Sequence, residues 1–144
     1  MAADCNKQMP AYAALQGAAR LDRLAYEIGR TGKSTTPDAV HDLRVGIRRF
    51  ESCLRLFQDY FPRKEAKKIR KRLRDILELA GRVRDHDIAL DLGRQAGLAP
   101  AGALLRAWGQ QRKQAAQELT LVLRAALKND LSTKWRRRLK LGKG

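Results

Sequence analysis

The chain has 144 residues, the size of one ordinary domain. Lys and Arg number 31 against 15 acids, a formal net charge of +16, and 20 of those cations are Arg, whose flat fork suits phosphate-like acceptors. A hydrophobic fraction of 44% excludes whole-chain disorder, and no apolar stretch reaches membrane-spanning length.

β signals are scarce, and Ala, Leu, Arg, Lys and Gln, the good helix formers, dominate. Met1–Pro10 is polar and carries no secretory pattern. Breakers at Gly29–Pro37, Pro62, Gly81 and Gly97–Pro100 divide the rest into helices expected at 10–28, 37–61, 63–80, 85–95 and 100–128. The first carries Leu21, Leu24 and Ile28, and glycines end it. The second opens on Thr36 as cap, Pro37 in the first turn and Asp38 at the positive helix end. Its apolar residues Val40, Leu43, Ile47, Phe50, Leu54, Phe57 and Phe61 alternate steps of three and four, which makes a packing seam. Ala66, Ile69, Leu73, Ile76 and Ala80 repeat the rule on the third, and Asp85 reads as the cap of a fourth after Gly81. Leu104, Trp108, Ala115, Leu119, Val122 and Ala126 mark the last. The expectation is an all-α, antiparallel up-and-down helical bundle with a basic face over residues 1–130. Residues 131–144 carry Lys134, Arg136, Arg137, Arg138, Lys140 and Lys143 with no acid, and read as a basic, flexible tail. Trp135 within it is the one aromatic for which base stacking stays open.

On a helical wheel His41, Arg44, Arg48 and Arg55 fall on one side of the second seam. Arg63, Lys67, Arg70 and Arg74 are displaced in the same sense on the third. The join at Pro62 is short enough to force an antiparallel pair, so the two stripes emerge on the same open side. Residues 41–84 hold 14 Lys or Arg against 6 acids, half of the net charge. Like charges stacked at this spacing destabilise a helix, which points to an anion-binding face rather than to solubility alone.

The remaining local patterns carry no chemistry. Gly32-Lys33-Ser34 lacks the earlier glycine and the preceding strand of a phosphate loop. Two cysteines, Cys5 and Cys53, make no disulfide scaffold or zinc set. Arg84-Asp85-His86-Asp87, with Asp91, reads as carboxylates neutralised by arginines rather than as a metal site. His41 is either a hydrogen-bonded, partly buried residue or a donor to an anion. No nucleophile stands with a base, so no catalytic residue, metal or cofactor is expected.

Val40-His41-Asp42-Leu43-Arg44-Val45-Gly46-Ile47-Arg48-Arg49-Phe50, together with Leu73-Arg74 and Gly81-Arg82-Val83-Arg84-Asp85-His86-Asp87-Ile88, resembles the two signature blocks of the CHAD family, the conserved histidine α-helical domains. The resemblance spans about residues 10–130. It implies an all-helical fold and binding of inorganic polyphosphate on a basic surface or cavity, in some members beside a CYTH triphosphatase domain or at polyphosphate granules. It makes His41, Arg44, Arg48, Arg49 and Arg55 phosphate contacts, with Lys67, Arg70, Arg74 and Arg84 from the second block, and Asp85 and Asp87 an acidic pair that orients arginines. Arg49 is the one the wheel sets aside. Glu51 stands where the family usually has another arginine, and can either weaken the site or clamp a neighbouring arginine. The chain is half the usual family length, so a homodimer rebuilding the missing half is a further expectation. The expected function is a non-enzymatic, cytoplasmic polyphosphate-binding module, associated with polyphosphate granules. Nucleic acid is the alternative partner, without a groove-fitting helix or exposed stacking aromatics to support it, and a membrane role is weaker still.

Overall fold

Thr36 caps the second helix as its sequence requires: its backbone is extended and its hydroxyl accepts from the Ala39 N–H at 3.2 Å, with Pro37 at the first helical position. A computed structural model of the chain describes the backbone of residues 2–142 and the side chains of 8–142; Lys143 and the Cys5 side chain lie outside the described residues. The helices are α1 (Ala2–Lys33), α2 (Pro37–Leu56), α3 (Arg63–Gln95), α4 (Ala103–Lys128) and α5 (Leu131–Arg138), with a short 3-10 turn over Gln58–Tyr60. Each of α1 to α4 packs on its chain neighbours, and α1 closes the ring on α4, so the architecture is the expected up-and-down bundle.

The core forms from the seams read in the sequence. Leu21, Leu24, Val40, Leu43, Ile47, Phe50, Leu54, Ile69, Leu73, Ile76 and Leu119 are all buried. The phase of α4 differs at its start, where Leu105 is buried and Leu104 is exposed. Leu105 reaches Gly93 of α3, where a Cβ would stand 2.8 Å from it, so glycine there permits the close approach of the two helices.

Three expectations about breaks are corrected. Gly29 does not end α1, which runs on through Gly32 to Lys33; Gly32 is buried against Leu123 and Leu127 of α4. Gly81 does not divide α3, and Asp85 lies inside that helix rather than capping a new one. The seam continues across Gly81 as Ile76, Ala80, Val83 and Asp87, and the burial of that face outweighs the roughly 1 kcal/mol a helical glycine costs.

The third correction concerns the basic tail. Residues 131–138 form α5, started by Asp130 in the left-handed region, and Trp135, Leu139 and Leu141 are buried. The Trp135 ring stacks on Phe50 with centroids 6.2 Å apart, so it is a core residue and offers no face to a base. Arg136 bridges Asp22 of α1, while Arg137 and Arg138 remain exposed.

Candidate anion-binding site

The site is built around α2, which lies between α1 and α3. The antiparallel pairing of α2 and α3 lays the α3 stripe alongside α2. At the end nearest Pro62, Arg63, Lys67, Arg70 and Arg74 of α3 line an open groove of about 480 Å³ with Leu54 of α2 and Gln58 of the 3-10 turn. Each of those four cations falls one turn from the next, so they form a ladder along the groove.

Further along the same pair, Arg44 is half-buried and carries no ion pair among the described residues. Burial pushes the pKa of its guanidinium down, Arg48 and Arg84 push it the same way, and Asp85 opposes them. Arg44, Arg48 and Arg84 therefore form a cluster of like charge in which one member is partly withdrawn from water. The guanidinium stays charged, so the crowding is electrostatically unfavourable.

Two donors on this face have no acceptor among the described residues: the buried Nε of Arg44 and of Arg70. A buried donor left unmade costs about 1–3 kcal/mol. Glu51 holds the same side chain without meeting that demand: its Oε1 accepts from a terminal nitrogen of Arg70 at 3.5 Å, and the Nε stays unpartnered among the described residues. The glutamate is thus a clamp on a groove arginine, one of the two roles its position allowed.

The remaining residues divide. His41 and Arg49 line a hollow of about 260 Å³ on the other flank of α2, against α1, together with Arg20 and Arg23. Arg48 sits between the flanks: its charge reaches Arg44, and its side chain lines the α1 side as well. Arg55 is exposed on the last turn of α2 and lines neither groove. The eight cations of the two stripes therefore do not form one surface, and Arg49, which the wheel set aside, shares its flank with His41.

The acidic pair separates as well. Asp85 is exposed and acts on Arg44 through its charge. Asp87 is buried and takes the Arg112 Nε of α4 at 2.9 Å, and Arg112 also donates to the Thr35 carbonyl. That arginine ties α3, α4 and the α1–α2 connection together, and no local spacing in the sequence announced it. Arg20 and Arg23 were also missed, although both sit on one flank of the Leu21–Leu24 seam and a wheel of α1 would have shown them. Among the described residues no group of three or more His, Cys, Asp or Glu is placed to hold a metal ion, and no helix is long and apolar enough to cross a membrane.

No curated protein and no solved structure matches the chain. The family model described as CHAD domain matches residues 15–144, from near the middle of α1 through α5. With that match over nearly its whole length, and the two basic signature blocks placed side by side on α2 and α3, the chain belongs to the CHAD domain family.

Proposed function

We propose that the chain is a non-enzymatic binding module for inorganic polyphosphate. The observation that carries this reading is the α2–α3 face, where Arg63, Lys67, Arg70 and Arg74 form a ladder and the buried Nε groups of Arg44 and Arg70 have no acceptor among the described residues. A linear polyanion supplies a repeating row of acceptors that such a ladder can hold in several registers. Arg forks contribute charge-assisted hydrogen bonds, and release of counterions adds a salt-dependent term. Membership of the CHAD family supports the same ligand.

The groove offers donors, and Glu51 beside it is engaged by Arg70. The proposal therefore includes no bond-breaking step, and phosphate release assayed with Mg²⁺ or Mn²⁺ tests that part. It also includes a homodimer that pairs two basic faces, and a cytoplasmic location at polyphosphate granules. Light scattering with and without polyphosphate tests the dimer, and a monomer in both conditions removes it. The binding claim is tested by Arg70→Glu/Arg74→Glu, which is expected to weaken long-chain polyphosphate by more than about tenfold while the bundle stays folded. Unchanged affinity would displace the site from this face.

A further inference from the structure

The flank of α2 that faces α1 has the makings of a second groove. Two adjoining hollows, of about 390 and 260 Å³, share Arg20 and Arg49 and so run into one trough along the two helices. Arg20 and Arg23 reach it from α1, and His41, Arg48 and Arg49 from α2. Its acids are already spent. Glu27, buried beneath Gly46, is bridged by Arg23 at 3.0 Å and by Arg30 at 3.5 Å, and Asp42 is bridged by Arg30 at 2.6 Å. Arg20, Arg48 and Arg49 have no carboxylate within salt-bridge distance among the described residues. Their field extends to the trough wall, where Arg20 draws down the pKa of the Cys53 thiol against the burial that raises it.

A solvated basic surface would disperse these charges or intersperse acids that face outward. Here Arg30 neutralises the acids at one end, and the unpaired arginines line a concave path whose other end is lined by Tyr12, edge-on to Phe57. We propose that this α1–α2 trough is a second phosphate-binding groove, in which Arg20 of α1 and Arg49 of α2 hold a further segment of the polyphosphate chain that occupies the α2–α3 groove. The inference rests on the polyphosphate reading above. The chain crosses the outer face of α2 at Arg48, a path set by a helix about 10–12 Å wide with its side chains. Long chains then engage both grooves, and the second engagement is intramolecular. Tripolyphosphate is too short to do so.

The test compares Arg20→Glu with Lys128→Glu, which makes the same change in net charge on the last turn of α4, away from both grooves. Arg20 is exposed and in no ion pair, so its variant keeps the fold, and Arg20→Ala supplies a milder check. Labelled long-chain polyphosphate and tripolyphosphate are titrated at one near-physiological salt concentration, with Arg70→Glu/Arg74→Glu alongside. Arg20→Glu is expected to weaken long-chain binding about tenfold, and Lys128→Glu by less than about twofold. If Arg20→Glu matches Lys128→Glu while Arg70→Glu/Arg74→Glu loses affinity, the second groove is overturned and the polyphosphate reading stands. If neither groove variant loses affinity, that reading fails as well. Loss with Arg20→Glu alone removes the α2–α3 assignment and overturns the two-groove path with it.

Discussion

Glu51 gives the sharpest quantitative handle on the α2–α3 groove. Its carboxylate and the Arg70 side chain are mostly buried, at 20% and 27% exposure, and meet through one contact of 3.5 Å. A phosphate bound on the far side of Arg70 stands roughly 7 Å from that carboxylate, where two unit charges repel by about 0.6 kcal/mol in water and about 2.4 kcal/mol at an effective dielectric near 20. The partly covered site falls between these limits, at about 1.5 kcal/mol. Glu51→Gln removes the repulsion and keeps the shape. It also loosens the clamp on Arg70, which for one long, partly exposed contact costs about 0.5 kcal/mol. The net gain is about 1 kcal/mol, or about fivefold tighter binding of polyphosphate at fixed salt. Fluorescence anisotropy of a labelled chain measures it, and the gain should shrink as ionic strength rises. Unchanged or weaker binding by Glu51→Gln would refute the placement of phosphate beside Arg70.

Two further outcomes test the scaffold that presents the site. Trp135→Ala removes a buried ring that stacks on Phe50 and anchors α5, and should cost about 3 kcal/mol in urea unfolding; a loss below about 1 kcal/mol would mean that α5 is not part of the core. Asp87→Ala leaves the Arg112 guanidinium without its carboxylate at the junction of α3, α4 and Thr35, and should also cost about 3 kcal/mol by the same measurement. Exposed Asp85→Ala is the control and should cost less than about 0.5 kcal/mol.

The bundle was legible because its seams are strict. The steps of three and four on α2 and α3 name the buried residues almost one for one, and Thr36-Pro37 places the start of α2. Breakers were the weaker guide. Gly81 was read as a stop because a local glycine penalty is visible in sequence, whereas the burial of Ala80 and Val83 that overrides it is tertiary. In the tail, the charge of Arg136, Arg137 and Arg138 masked a readable stripe: Leu131, Trp135 and Leu139 recur every four residues, which is the spacing of a helix with one buried face. The site was half legible. The wheel put Arg63, Lys67, Arg70 and Arg74 on one face of α3, where they line one groove, but it treated α2 as having one neighbour. With α1 on one side and α3 on the other, the residues displaced from its seam are divided between two flanks, and His41 and Arg49 go to α1. Partners brought in from distant sequence, such as Arg112 at Asp87 and Arg20 at Arg49, leave no local spacing to read.

The central claim is that the α2–α3 face reads phosphate geometry and not charge alone. The direct measurement is competition: labelled long-chain polyphosphate bound to the chain, challenged with DNA or RNA at one near-physiological salt concentration. Salt is held constant because any polyanion gains on a +16 protein as salt falls. The account predicts that polyphosphate stays bound against an excess of nucleic acid charge. Complete displacement by an equal concentration of DNA or RNA charge would contradict it, and would reduce the ladder of Arg63, Lys67, Arg70 and Arg74 to an unselective basic surface.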